Sequence, residues 1–388
     1  MKAIINGIIV TKSGVLENKV LLFDKKIISI CDEIPENCEL IDAKQKIVTP
    51  GLIDIHVHGS CNFDTMDNSI EAIEAISSGI CKNGVTSFLP TTMTMTKEHI
   101  YNSLNIIKKC MEKDIVGAKV IGAHMEGPFI NPIYKGAQDA SYILKPNFQF
   151  IKNYTDVIKL ISYSPELDDD YEFTKEVKEN TKITLSICHS NASYKQAMEA
   201  INLGASNITH LFNAMTPLNH REPGVVGAAL MSNAYCEIIA DKIHVDKNLF
   251  QFILNNKGKE KVILITDSMR AGCMKDGKYE LGGQDVYVKD GAARLINGTL
   301  AGSILTLNKA VYNFFENTNL QLNEVINMAS LNPAKSIGID GKKGSLDIGK
   351  DADICIFDDE MNCHLSISEG KIIFNSLENY LIKEFVDN

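Results

Sequence analysis

The chain has no apolar run of the length that a bilayer crossing requires, so a membrane-spanning helix is excluded. Its N-terminus, MKAIINGIIVTKSG, lacks the longer apolar core and small-residue cleavage site of a signal peptide and reads as strand, turn and strand. No CxxC pair occurs among the ten cysteines, which are scattered without regular spacing. A chain made in the cytoplasm would keep them reduced, and that is the expected compartment. There is no excess of positive charge. Lys and Arg number 39 against 49 Asp and Glu, a net −10, which argues against a nucleic-acid or membrane-surface partner. An anionic substrate would therefore have to meet a local cationic pocket. Low-complexity tracts, long charge runs and short-period repeats are also missing.

What is present is length and alternation. The 388 residues suit a large barrel with a small second domain. Residues 1–50 read as short strands between turn residues such as Asn6-Gly7 and Ser13-Gly14. From Ile53 onward, apolar strand-like runs alternate with amphipathic segments. The runs cover 53–59, 86–92, 119–127, 157–164, 183–190, 207–214, 236–244 and 262–268. Helical spacing recurs at 69–83, 97–113, 171–180 and 191–203, the last expected to be capped by Asn191 and stopped by Gly204. Strand followed by helix, repeated eight times, predicts an α/β fold with a closed parallel (β/α)8 TIM barrel over 51–342. An open doubly wound sheet is the alternative. Two stretches break the alternation, 129–154 and 271–299, and loops of that length shape or cover a site. Strand-like runs at 354–357, 364–368 and 371–374 are expected to join the N-terminal strands. That makes a β-sandwich domain from 1–50 and 343–388.

The chemistry concentrates at the strand ends. Ile53-Asp54-Ile55-His56-Val57-His58 alternates, so His56 and His58 share one face, with Asp54 below them. Two imidazoles side by side at a strand end are a ready pair of metal ligands. Other runs end in His124-Met125-Glu126, in His189, in His210 and in Asp267. A parallel barrel gathers all such ends at one mouth. Histidines, a glutamate and an aspartate suit a divalent metal such as zinc or iron, and a carboxylate can bridge two ions. Cys188 and Cys61 neighbour site histidines in sequence but read as small core or loop residues.

The motifs PGLIDIHVHG (50–59), GAHMEGPF (122–129), CHSNA (188–192), THLFNAM (209–215), HREPG (220–224), TDSM (266–269), LAGS (300–303) and GKDAD (349–353) together carry a resemblance. The chain resembles the amidohydrolase superfamily, and within it the N-acetylglucosamine-6-phosphate deacetylases, over essentially its whole length. HxH and TD are superfamily-wide; HMEGPF, HLFNAM with HREPG, and LAGS carry the narrower likeness. The resemblance implies metal-dependent deacetylation of a small sugar phosphate, in amino-sugar catabolism, by a cytoplasmic homodimer. It implies one or two divalent ions. Glu126, His189 and His210 would hold the main one, and His56 and His58 would support a second with Glu126 between. Asp267 would act as general base toward a metal-activated water and then as acid toward the departing amine. Ala137, Gln138, Asn213, Ala214, Arg221, His244, Leu300, Ala301 and Gly302 would line the sugar-phosphate pocket. Arg221 would take the phosphate in its planar fork, from its own or a partner subunit. Some members have histidine where this chain has Gln138. Many superfamily members bridge their metals with a modified lysine on the fourth strand, but Lys159 lies within that strand and Glu126 is the better bridge. A cyclic-amide hydrolase, a nucleobase deaminase and a scaffold without metal are the rival readings; the motifs above and the retained Asp267 speak against them.

Overall fold

Leu52–Val57 forms strand β1, buried at every position, as a strand covered on both faces must be. A computed structural model describes residues 1–113, 115–377 and 381–382. In it β1 is followed by β2 (Val85–Pro90), β3 (Lys119–Val120, resumed as Ala123–Glu126), β4 (Ile158–Tyr163), β5 (Thr184–Ile187), β6 (Asn207–Ile208), β7 (Tyr235–Ile239) and β8 (Val262–Ile265). Each pairs in parallel with the next. A parallel bridge from Thr91 to His124 carries the ladder from β2 into β3, and another from Val57 to Ser268 joins β8 back to β1. The ring is thus closed, as a TIM-barrel-like domain requires. Ile53, Ile55, Leu89, Leu160, Ile239, Ile263 and Ile265 cluster together. They come from strands on opposite sides of the ring and fill its interior.

The helices lie where the amphipathic spacing put them. Helix α1 (Ile70–Ile80) is capped by Ser69, whose side chain accepts from the Ala72 amide, and α2 (Lys97–Glu112) is capped by Thr96. The short α3 (Phe148–Ile151) lies in the loop after β3, and α4 (Glu172–Asn180) follows β4. Helix α5 (Tyr194–Leu203) starts later than expected. Its cap is Ser193, which exchanges reciprocal hydrogen bonds with Gln196, whereas the Asn191 amide donates to the Glu166 carboxylate. The capping box satisfies two orphan donors at once, and that outweighs a lone asparagine. Of the two long insertions, the second folds as an antiparallel meander of Gly277–Leu281, Gln284–Lys289 and Ala292–Leu295. No helix among the described residues is long and apolar enough to cross a membrane.

Both chain ends build the second domain. Among the described residues, hydrogen bonds join nine strands into one sheet that forks. The long strand Lys2–Thr11 makes the fork: its first half pairs with Glu39–Asp42 and its second with Ile47–Pro50. The register shifts around Gly7, where a Cβ would stand 2.5 Å from Val48 Cγ2. Only glycine permits that approach, and the bend folds the sheet around Ile4, Ile9, Leu21, Phe23, Ile354, Ile356 and Leu365. The expected 343–388 segment runs onto residues 378–380 and 383–388, which lie outside the described residues.

Lys343 ties the connection from the barrel to this sheet. Its Nζ lies 2.8 Å from Asp353 Oδ2 and 3.1 Å from Asp351 Oδ2, with the lysine and Asp353 both buried. Burial would lower the lysine's pKa, but Asp353 and Asp351 outweigh it and hold it above the ordinary value. Lys343→Met should cost about 3–5 kcal/mol, because it leaves Asp353 buried without a counter-charge. Urea unfolding measures this. A loss below about 1 kcal/mol, the range of exposed pairs, would show that the cluster carries no such weight.

Candidate metal centre

The C-terminal ends of β1, β3, β5, β6 and β8 deliver His56 and His58, Glu126, His189, His210 and Asp267 to one mouth. Three of these residues leave their strands with left-handed backbone: His189 at φ 43°, His210 at φ 32° and Asp267 at φ 49°. Histidine and aspartate enter that region more readily than most residues, at a cost on the order of 1 kcal/mol or more each. The turn ends the ladder and places the side chain over the barrel. Asp267 is held by its amide, which donates to the His56 carbonyl at 2.9 Å.

Glu126 stands at the centre. Its Oε1 lies 3.3 Å from His210 Nε2, 3.4 Å from His189 Nε2 and 3.5 Å from His56 Nε2. Its Oε2 lies 3.3 Å from His58 Nε2. The imidazoles also meet in pairs, His56 with His58 and His189 with His210, each Nε2 to Nε2 at 3.3 Å. Asp267 Oδ1 is 3.3 Å from both His56 and His58. Zinc bonds of about 2.0–2.1 Å give a tetrahedron with edges of about 3.3–3.4 Å. The donor separations are those edges. The residues therefore fit a divalent ion at His189 and His210 and another at His56 and His58, with Glu126 common to both.

The far side of each ring is fixed by a second partner, except at His210, whose Nδ1 has none among the described residues. His58 Nδ1 bonds the Thr91 carbonyl at 3.2 Å, and His189 Nδ1 the Tyr134 carbonyl at 2.7 Å. His56 Nδ1 meets Glu237 Oε2 at 3.2 Å, both side chains fully buried. Glu237 had not been singled out from the sequence; its only signal was a carboxylate inside the apolar run Cys236-Glu237-Ile238. His124 is no ligand. Its Nδ1 bonds the Ile55 carbonyl and its Nε2 the Ser162 hydroxyl, so both nitrogens are used. Asp54, expected below the pair, does not share its face, because Ile53 and Ile55 pack inside the ring. Its carboxylate accepts from Thr266 Oγ1 at 2.6 Å and from the His56 amide at 3.2 Å, and it lines a separate cavity with Ile80, Val85 and Leu305.

Charge in this cluster is strongly coupled. Burial would depress the His56 imidazole, but the charges of Asp267 and Glu126, with the Glu237 bond, raise it to about 9. Burial would raise both carboxyls. His56, His189, His210 and His58 instead hold Glu126 well below the usual range, and His56 and His58 bring Asp267 to about 2. Without an ion, protons occupy the place that a cation would take.

The cluster floors a cavity of about 470 Å³. Of the expected substrate contacts, Ala137, Gln138, Asn213, Ala214, His244, Leu300 and Gly302 line it. Ala301 does not; its side chain is buried in the core and its amide donates to the Ala293 carbonyl at 3.0 Å. Arg221 does not either: it is exposed on the loop after β6, its amide held by Asn219. Arg294, on the meander, lines the cavity without having been expected there, with Met93, Tyr134 and Thr299. Gln138 bridges two elements, taking the Thr94 amide at 2.7 Å and donating to Glu126 Oε2 at 2.7 Å. Gly136 lets the covering loop approach; a Cβ there would stand 3.3 Å from His189 Cε1.

A sequence profile described as Amidohydrolase family matches residues 47–380. The chain is 39% identical over 382 residues to the N-acetylglucosamine-6-phosphate deacetylase of Bacillus subtilis (strain 168), covering 95% of this chain and 96% of that protein. It is 33% identical to the N-acetylgalactosamine-6-phosphate deacetylase of Escherichia coli O157:H7, covering 94% and 97%. Among solved structures, the N-acetylglucosamine-6-phosphate deacetylase from Pasteurella multocida superposes with a TM-score of 0.90 at 32% identity, over 96% of this chain and 99% of that one.

Two outcomes follow for metal binding. Glu237→Gln should weaken the ion at His56 and His58 by about 10–100-fold, the usual cost of losing an outer partner. Chelator competition measures it, and unchanged affinity would remove Glu237 from that role. Because a ligating imidazole must be neutral, affinity should also fall as pH drops below about 9, with protons released on binding. Calorimetry in buffers of different ionisation enthalpy reads that release; none would refute the competition.

Proposed function

The chain belongs to the amidohydrolase family, and from that membership we propose that it deacetylates N-acetylglucosamine 6-phosphate to glucosamine 6-phosphate and acetate, in amino-sugar catabolism. The observation that carries this reading is one carboxylate, Glu126, shared by two imidazole pairs, with Asp267 beside one pair at the floor of a cavity. Glu126, His189 and His210 hold the main ion, zinc or iron, and His56 and His58 a second. When bound, such an ion polarises a carbonyl and lowers the pKa of water.

The remaining steps belong to the protein. Asp267 is ionised, so it accepts the proton of the attacking water. It then returns that proton to the amine, which cannot leave as an anion. The cavity wall of Leu300, Gly302, Asn213 and Ala214 surrounds the sugar and excludes competing water. At the phosphate end, His244 Nδ1 bonds Asp241 Oδ2 at 2.6 Å, which fixes the ring and leaves Nε2 for the anion. Arg294 adds the cation that a chain of net charge −10 must supply locally. Arg221, outside its own cavity, serves the site of a second copy in a homodimer. The gluco epimer is favoured over the galacto because the more similar of the two relatives acts on it. The barrel spans 51–342 and the second domain 1–50 with 343–388, and the enzyme works in the cytoplasm.

Asp267→Asn should retain its metal and lose about 10²–10⁴-fold in acetate release. Near-normal turnover would refute the shuttle. His244→Ala and Arg294→Ala should raise KM for the phosphorylated sugar and spare the unphosphorylated one; equal effects on both would remove the phosphate assignment. Mixing Arg221→Ala with Asp267→Asn subunits should restore low-KM activity, because one site then has both residues. Absence of that rescue would place Arg221 outside the partner's site.

A further inference from the structure

Cys188 was expected to be a small core residue, and it is fully buried, but its sulfur faces the metal centre. Its Sγ lies 3.5 Å from Glu126 Oε1 and 3.5 Å from His210 Nε2. Together with Glu126, His189 and His210 it forms a group whose donor atoms all lie within 4.8 Å of one another. We propose that Cys188, as thiolate, is a fourth protein ligand to the ion held by Glu126, His189 and His210. This rests on the metal-dependent reading above.

The geometry argues for it in three ways. Bonds of about 2.3 Å to sulfur and about 2.0–2.1 Å to nitrogen or oxygen give tetrahedral edges of about 3.5–3.6 Å. The Sγ separations from Glu126 Oε1 and His210 Nε2 match that, and the third, to His189 Nε2, is within 4.8 Å; the 3.3–3.4 Å separations among the other three donors match their shorter edge. Second, a thiol has one proton. It can donate to only one of these two neighbours, and the other contact then needs a proton on His210 Nε2, whereas a cation between the donors meets both. Third, the sulfur comes from outside the cavity. Glu126, His189 and His210 line the cavity and Cys188 does not, so a fifth position stays open to the substrate side. The thiol proton leaves to solvent as the ion enters. A soft thiolate strengthens the preference for zinc over a harder ion such as manganese.

Zinc-edge X-ray absorption on the wild-type holoenzyme should show a sulfur scatterer at about 2.3 Å. A shell of only nitrogen and oxygen overturns the assignment while leaving the metal-dependent reading intact. An enzyme that holds no tightly bound ion overturns both. In the cobalt-substituted enzyme, a thiolate-to-cobalt charge-transfer band should appear, survive in Cys61→Ser and vanish in Cys188→Ala. A band that persists in Cys188→Ala refutes the proposal. Zinc affinity in Cys188→Ala should fall at least about tenfold, since a direct ligand matters no less than an outer partner. Unchanged zinc affinity and unchanged zinc-over-manganese preference would likewise overturn it.

Discussion

One buried carboxylate sets the terms for this molecule. Glu126 is 3% exposed and lies within 3.5 Å of four imidazole nitrogens. An isolated ionised carboxylate is not tolerated in such a place. The arrangement persists because distant strands are closed into a ring that leaves the side chains nowhere else to go. The Val57–Ser268 bridge brings β8 against β1. It thereby sets Asp267 beside His56 and His58.

The mouth is built by breaking strand geometry, not by extending it. His189, His210 and Asp267 turn into left-handed backbone as their ladders stop, and neighbouring bonds hold each turn. The Ser190 amide donates to the Ala214 carbonyl, and Ser303 donates to the Asp267 carbonyl. The covering loop is pinned by the same centre: Tyr134 takes His189, and Gln138 takes Glu126. The cover of the cavity and the orientation of the side chains on its floor are therefore one network. A change in the loop reaches His189 and Glu126 through two hydrogen bonds.

Which parts were legible in the sequence follows from where their causes lie. The parity of His56 and His58 and the placement of Glu126, His189, His210 and Asp267 at run ends are local, so spacing alone reveals them. Eightfold alternation likewise revealed the ring. Glu237 and Cys188 were illegible because their meaning depends on partners more than 20 residues away, His56 for the one and Glu126 and His210 for the other. Arg221 carried a motif, but a motif does not say which way a loop runs. The forked sheet escaped notice because Gly7 reads as an ordinary turn residue until Val48 is beside it. The cap of α5 was missed by two residues because Asn191 and Ser193 are both good caps, and a distant carboxylate, Glu166, decided between them.

The two halves of the centre are not equivalent, and the asymmetry lies in the oxygens of Glu126. Oε1 faces His189, His210 and Cys188, while Oε2 faces His58 and already accepts from Gln138 at 2.7 Å. A carboxylate oxygen has two lone pairs, so Gln138 leaves one for an ion at His56 and His58. That ion must share its oxygen with an amide, and it meets protons that Asp267 and Glu126 hold on His56. On the proposed reading the His189–His210 position fills first and sets the direction in which Glu126 points. The second position then depends on Gln138 and Glu237. Tuning the second ion without disturbing the first is thus a matter of residues that touch neither the substrate carbonyl nor the first ion.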